Sequence, residues 1–330
     1  MEYTFLGDTG VKVSRLCFGA MTFGGQADDA ASRALFNRCR DAGINFFDCA
    51  NVYNRGRSEE ILGDFIRDCR EEMVITSKVY FPMGDDVNAR GASRKHIFAA
   101  VDASLKRLKT DYIDVYFIHR FDDATSLEET LSALDVLVQQ GKVLYPAASN
   151  FAAWQVAKAR GISAAKNWAA FKCLQPMYNL VKRQAEVEIL PMAQSENLGV
   201  IPYSPLGGGL LTGKYSKSSR PLSGRLVENK MYEVRYGDAR HLETADKLSA
   251  LARGMGVHPA SLAVAWVAAH PGVTAPIIGA RNLEQLEPSL KAMEIKMTAD
   301  LYAKISGFSE EPPPATDRNE ERTEHNYGSR

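Results

Sequence analysis

The strongest constraint on this chain is a regular alternation. Short runs rich in β-branched and aromatic residues recur eight times, separated by longer segments of helical period. The β-like runs fall at residues 16–18, 45–49, 73–79, 113–119, 143–149, 173–175, 200–203 and 274–278. Helical segments occupy residues 31–42, 58–69, 93–108, 126–140, 151–160 and 186–197, then a pair between 243 and 270, then 282–293. Ser58, Ser93 and Ser126 offer hydroxyls at helix starts, and Gly43, Gly141 and Gly199 follow helix ends. Strands alternating with helices pair in parallel through crossovers, so eight such units predict an α/β fold closed as a (β/α)8 TIM barrel. Residues 3–6 and 11–16 flank the turn Gly7-Asp8-Thr9-Gly10 and predict an N-terminal β-hairpin. The open alternative, a doubly wound sheet, carries G-x-G-x-x-G after its first strand. Here that strand is followed by Gly19-Ala20-Met21-Thr22-Phe23-Gly24-Gly25, a different pattern. Walker A is absent too, because Tyr215 follows Gly213-Lys214.

A chain of 330 residues has length enough for two domains, but a single barrel takes about 250 residues. The expectation is one barrel over residues 1–309 and a charged, Pro-rich loop or disordered tail over 310–330. Lys and Arg number 40 and Asp and Glu number 40, a formal net charge of zero. That balance argues against nucleic acid and against an anionic membrane surface as partners. Five cysteines with no CxxC pair fit reduced thiols better than a disulfide or zinc framework. The N-terminus lacks a basic start and an apolar stretch, and the apolar run at 262–269 is too short for a bilayer. A cytoplasmic protein is expected.

Barrel active sites lie at the C-terminal ends of the strands. There the sequence places Asp48, Lys78 and His119-Arg120 on successive strands, with Tyr53 in the loop after Asp48. Each alone is commonplace; together they suggest proton transfer. An ammonium beside a phenol lowers the phenol's pKa, and a buried ammonium needs a carboxylate. Asp48, Lys78 and Tyr53 would then form a tuned general acid, with His119 orienting a carbonyl oxygen or sharing a relay. A carbonyl that gains a proton in this way must also gain a hydride, which side chains cannot supply and a nicotinamide can. A metal-dependent hydrolase would need ligands on several strands, and His119 alone of six histidines is well placed; no metal is expected.

Several motifs give the chain a wider resemblance. They are Phe47-Asp48-Cys49-Ala50-Asn51-Val52-Tyr53, Thr76-Ser77-Lys78, the run from Asp111 to His119, Ser149-Asn150-Phe151, Gln175 with Tyr178-Asn179, the run from Tyr203 to Lys214, and Ile278-Gly279-Ala280-Arg281 with Gln285. From about Thr4 to Met293 the chain resembles the aldo-keto reductase superfamily. Thr22-Phe23-Gly24-Gly25-Gln26 and the run from Arg90 to His96 look most like the branch of voltage-gated potassium channel β subunits and their bacterial relatives.

The resemblance implies an NADPH-dependent reductase of aldehydes or ketones, reversible with alcohols. It makes Tyr53 the proton donor, Asp48 and Lys78 its tuning pair, and His119 the residue that orients the carbonyl. The channel subunits carry Asn at the position of His119, so the imidazole favours an enzyme over the alternative, a cofactor-binding regulatory or redox-sensing subunit. The implied NADP(H) contacts are Gly19, Ala20 and Gln26 in the first loop, with Asp48; Ser149, Asn150 and Gln175 at the carboxamide; and Tyr203 stacked on the ring. Ser204, Pro205, Leu206, Gly208 and Lys214 line the pyrophosphate, with Arg225 a second clamp after a one-residue shift. Gly279, Arg281 and Gln285 take the adenosine end, where Arg281 suits a 2′-phosphate and favours NADP(H) over NAD(H). Pro288-Ser289 stand where the family commonly has Glu-Asn, which puts adenine contacts in doubt. Phe23, Tyr80, Phe81, Phe121 and Tyr178, with Tyr53 and His119, are the expected substrate wall. Residues 216–240, which hold Arg220, Arg225, Lys230, Arg235 and Arg240, are long for a barrel loop, and part is expected to fold over the cofactor as a lid. A homo-oligomer stays open.

Overall fold

A computed structural model describes residues 1–217 and 221–315. Residues 218–220, with Arg220 of the long segment, and 316–330 of the predicted tail lie outside the described residues.

The N-terminal hairpin pairs β1 (Tyr3–Phe5) with β2 (Lys12–Ser14) antiparallel. Eight parallel strands follow: β3 (Cys17–Gly19), β4 (Phe46–Asp48), β5 (Val74–Val79), β6 (Ile113–Ile118), β7 (Val143–Ser149), β8 (Cys173–Gln175), β9 (Gly199–Val200) and β10 (Ile277–Ile278). The strands neighbour one another in sequence order, and β10 returns to β3. Between β9 and β10 the backbone bonds Thr274 N to Val200 O and Ile277 N to Pro202 O, both 2.9 Å, complete the ring. This is the (β/α)8 barrel. The last two strands are shorter than the sequence suggested, because Pro202 and Pro276 have no N–H for a ladder.

The helices are α1 (Asp29–Asp41), α2 (Arg57–Ile66), α3 (Arg94–Leu108), α4 (Leu127–Gln139), α5 (Ala153–Lys166), α6 (Ile189–Ser195), α7 (Arg225–Glu228), α8 (Lys230–Tyr236), α9 (Ala239–Gly254), α10 (Pro259–Ala269), α11 (Leu283–Leu290) and α12 (Ala299–Ser306). Ser93 and Ser126 cap as read, accepting from the amides of His96 and Glu129, but Ser58 lies inside α2, whose N-cap is Gly56, and donates to the Ala20 carbonyl, and Gly199 belongs to β9. α7, α8 and α12 were not foreseen. The first two are a turn or two long, below what periodicity detects.

Strand alternation sorts side chains into two shells. Outward residues such as Phe18, Phe47, Ile75, Tyr116 and Ile118 pack against the helices. Inward residues Cys17, Phe46, Val74, Val115, Ala147 and Cys173 fill the barrel's lower part, and the hairpin plugs its base with Leu6 and Val13. Further along β4, β5, β7 and β8 the inward position turns polar: Asp48, Thr76, Lys78, Ser149 and Gln175. The register pairs Asp48 with Thr76 and Ser149 with Gln175. A dry apolar floor therefore carries a polar layer at the C-terminal mouth. All five cysteines are free thiols. No helix among the described residues is long and apolar enough to cross a membrane.

Candidate active site

The polar layer is built around Lys78, whose side chain is fully buried. An ammonium group has three N–H donors and no acceptor. Its Nζ lies 2.6 Å from Asp48 Oδ2, 2.7 Å from the Cys49 carbonyl and 3.3 Å from the Tyr53 hydroxyl. Asp48 is held in turn by its other oxygen, Oδ1, which accepts from Thr76 Oγ1 at 2.6 Å and Gln175 Nε2 at 2.8 Å. A buried charge pair offsets its desolvation only when its remaining hydrogen-bond capacity is filled, which is the case here. Because Lys78 can only donate, the Tyr53 oxygen accepts that bond, and its own proton is left to be donated elsewhere.

Tyr53 reaches this position through an unusual turn. Asn54 and Arg55 both adopt the left-handed region, with φ of 48° and 55°. Asn54 Nδ2 holds the turn by donating to the carbonyls of Met21 at 3.0 Å and Phe23 at 2.7 Å. Such backbone costs free energy and tends to occur at functional sites. His119 follows β6, its ring edge-on to Tyr53 at 6.0 Å and to Phe81 at 4.9 Å. Its Nδ1 is buried without a partner among the described residues.

The electrostatics correct one expectation. Burial outweighs the Lys78 charge at Tyr53, so the phenol is pushed up to about 12 and not down. Burial, then Lys78, lowers His119 to about 3, so its imidazole is neutral near pH 7. Lys78 is raised and stays charged: burial is the largest single influence and opposes the charge, but Asp48, Tyr53 and Cys49 together outweigh it. The Tyr53 hydroxyl is thus a firmly protonated donor, and neutral His119 offers a hydrogen bond without competing as an acid.

These groups open on a cavity of about 910 Å³. Asp48, Tyr53 and His119 line its deep end, with Gly19, Ser149, Asn150 and Gln175. Tyr203, Ser204, Pro205, Leu206, Gly208 and Lys214 follow along the wall, then Arg225, Gly279, Arg281 and Gln285. Asn150 Nδ2 donates to the His119 carbonyl at 2.9 Å, and Tyr203 OH donates to Asn150 Oδ1 at 2.8 Å. Gln285 Oε1 is engaged by the Arg281 amide at 3.2 Å.

Other expected contacts lie elsewhere. Ala20 is buried in a turn whose carbonyl takes the Ser58 hydroxyl. Gln26 is exposed on a loop closed by the bond from Ala27 N to Thr22 O. Neither lines the cavity; Met21 and Thr22 of the same loop do. On the substrate side Phe23 is fully buried between Phe18 and Phe65. Tyr80 packs edge-on against Phe81, and Phe121 against Phe151 and Trp154. Tyr178 is buried beside Trp266. Of the aromatics named for that wall, Phe81 alone joins Tyr53 and His119 in the cavity. An aromatic near a strand end faces core or cavity according to loop path, which composition does not reveal. Part of the segment expected to form a lid folds as α7 and α8, which contribute Arg225, Met231, Tyr232 and Arg235 to the cavity wall. Pro288 lines the cavity near Gln285, and Ser289 is buried. Arg120, Tyr232 and His258 also line the cavity. Their signal was weak, since each is a lone residue outside a recognisable motif.

Lys214, Arg225 and Arg281 converge closely enough that, after burial, the two arginines depress Lys214. Among the described residues no carboxylate is ion-paired to any of the three, and the gap fits an anion. A Cβ built on Gly279 would meet only the Gly19 carbonyl, at 3.7 Å, so the wall there is open to a ligand. These residues fit a phosphorylated dinucleotide.

The fold and groove define a (β/α)8 protein with a candidate site for a phosphorylated ligand at the C-terminal mouth of its strands. Residues 15–310 match the pattern of the Aldo/keto reductase family, and the chain belongs to that family. It is 38% identical over 317 residues to an uncharacterised oxidoreductase of Bacillus subtilis, YrpG, covering 93% of this chain and 95% of that one. It is 39% identical to a probable voltage-gated potassium channel subunit beta of Arabidopsis thaliana, over 89% of this chain and 92% of that one. With the versiconal hemiacetal acetate reductase of Aspergillus parasiticus it shares 32% identity, over 91% and 94% of the two chains. The branch named from the motifs is the one these relatives represent.

Proposed function

We propose that this protein is a cytoplasmic NADPH-dependent carbonyl reductase, working reversibly on alcohols, with Tyr53 as proton donor. The observation that carries the reading is the Lys78 bond to the Tyr53 oxygen at 3.3 Å, which leaves the phenolic proton facing substrate. Bound along the groove, NADPH supplies the hydride that a carbonyl carbon accepts. Ser149, Asn150 and Gln175 would hold the carboxamide end and Tyr203 would pack on the ring. Lys214 and Arg225 clamp the phosphates, and Arg281 selects the 2′-phosphate. Tyr53 and neutral His119 bond the substrate oxygen and polarise it; as negative charge grows there, the Tyr53 proton transfers to it. Lys78 stabilises the phenolate that forms, and Asp48 fixes Lys78. α7 and α8 exclude water from the site.

The test follows absorbance at the reduced-nicotinamide band over a panel of aldehydes and ketones. Turnover with NADPH preferred to NADH supports the reading; tighter NADH binding removes the role of Arg281. A second reading, a redox-sensing subunit, draws on the relatives named as channel subunits. Binding of NADPH with no oxidation by any carbonyl would favour it.

A further inference from the structure

Arg120, Lys214, Arg225, Arg235 and Arg281 supply the cavity's cationic side chains, against the acids Asp48 and Glu284. Asp48 is spent on Lys78. Lys214, Arg225 and Arg281 make up the phosphate end described above. Arg235 lies over the Tyr232 ring, 5.7 Å from its centroid, and faces Tyr203. That leaves Arg120. It directly follows His119 at the end of β6, across the barrel from β10, and it is exposed and lines the cavity. Among the described residues it makes no ion pair. The nearest acid on its loop, Asp122, is already committed. Its Oδ2 accepts from Ala92 N at 2.8 Å and Thr125 Oγ1 at 2.7 Å, and its Oδ1 from Ala124 N at 3.1 Å. Met21, Val52, Phe81 and Met231 give the cavity an apolar part to its lining. A bound carbonyl therefore meets hydrogen-bond donors at one point, an apolar part of the lining, and an uncommitted guanidinium at the rim.

We propose that Arg120 is a specificity-determining residue that binds a carboxylate on the substrate. The preferred substrate class is an aldehyde or ketone bearing a carboxylate across a short apolar spacer. The inference rests on the carbonyl-reductase reading above. A guanidinium matches a carboxylate with two parallel hydrogen bonds, a geometry Lys cannot reproduce. The bond lies away from the reacting atoms and is made alike before and during reaction, so its effect belongs in KM.

The experiment compares 4-carboxybenzaldehyde with methyl 4-formylbenzoate, using the full chain and NADPH, for wild type, Arg120→Gln and Arg120→Lys. The acid should show a KM about tenfold below that of the ester in the wild type. Arg120→Gln should bring the two values together, and Arg120→Lys should restore part of the gap. Equal KM values in the wild type, or a preference for the acid that survives Arg120→Gln, would overturn the proposal. Absence of turnover with both aldehydes defeats the carbonyl-reductase reading and is distinguishable from failure here. In that event calorimetry with terephthalate on the NADPH-loaded protein decides for Arg120. Tighter binding by the wild type than by Arg120→Gln supports it, and equal binding overturns it.

Discussion

Lys78 gives its three N–H bonds to Asp48, Cys49 and Tyr53, and the site's chemistry follows from that geometry. Replacing it with an uncharged side chain leaves the Asp48 carboxylate buried without its counter-ion. Lys78→Met should therefore lose about 3–5 kcal/mol of stability by denaturant titration, and Lys78→Met with Asp48→Asn should regain part of it. Single and double variants of equal stability would contradict the pairing. The acid and the orienting group also separate on the pH axis. Tyr53, pushed up to about 12, acts while protonated, so activity should fall only as pH approaches that value. His119, lowered to about 3, should leave no acid limb near the ordinary histidine pKa of about 6.5 in kcat/KM. The same depression bears on stability. Folding favours neutral His119, so its contribution is complete above about 6.5 and is lost as pH falls from there through about 3. Between about pH 7 and pH 4 the wild type should lose more melting temperature than His119→Asn. An identical loss in both would take His119 out of the linkage.

The elements differ in how openly the sequence declared them. Strands β5 to β8 were legible because their inward positions run apolar and then abruptly polar, as in Val74, Thr76 and Lys78. A polar side chain at an apolar period marks the mouth of a barrel. β9 and β10 were overextended because Pro202 and Pro276 interrupt their ladders. Phe23, Tyr80 and Phe121 were misplaced because an aromatic side chain suits core and cavity equally; loop path, set by long-range bonds such as Asn54 to Met21 and Phe23, decides between them. α7 and α8 lay inside a segment read only as long and charged, and it is their packing that closes the groove. The tight point is Gly208, with φ of 66°, where a Cβ would come within 2.5 Å of the Tyr232 ring. Gly208→Ala should push Tyr232 outward and weaken NADPH binding, read by fluorescence titration. The same substitution with undiminished affinity would separate these helices from the cofactor.

At the scale of the whole molecule, a formal net charge of zero conceals a cationic groove. The balanced total argued against a polyanion partner, but it carried no information about where the charges sit. Folding brings Arg281 to Lys214 and Arg225, which lie near each other in sequence and far from it. Their attraction for a 2′-phosphate should be screened by salt, so raising ionic strength should weaken NADPH binding more than NADH binding. Parallel salt dependence of the two would move the phosphate selectivity elsewhere. The central claim is narrower: Tyr53, supported by Lys78, gives its proton to a carbonyl oxygen. The most direct measurement compares wild type with Tyr53→Phe for NADPH affinity and for aldehyde-dependent NADPH oxidation in the same preparation. The account predicts unchanged cofactor affinity and a kcat lower by about 10²–10⁴-fold in the variant. Oxidation by Tyr53→Phe at the wild-type rate would contradict it.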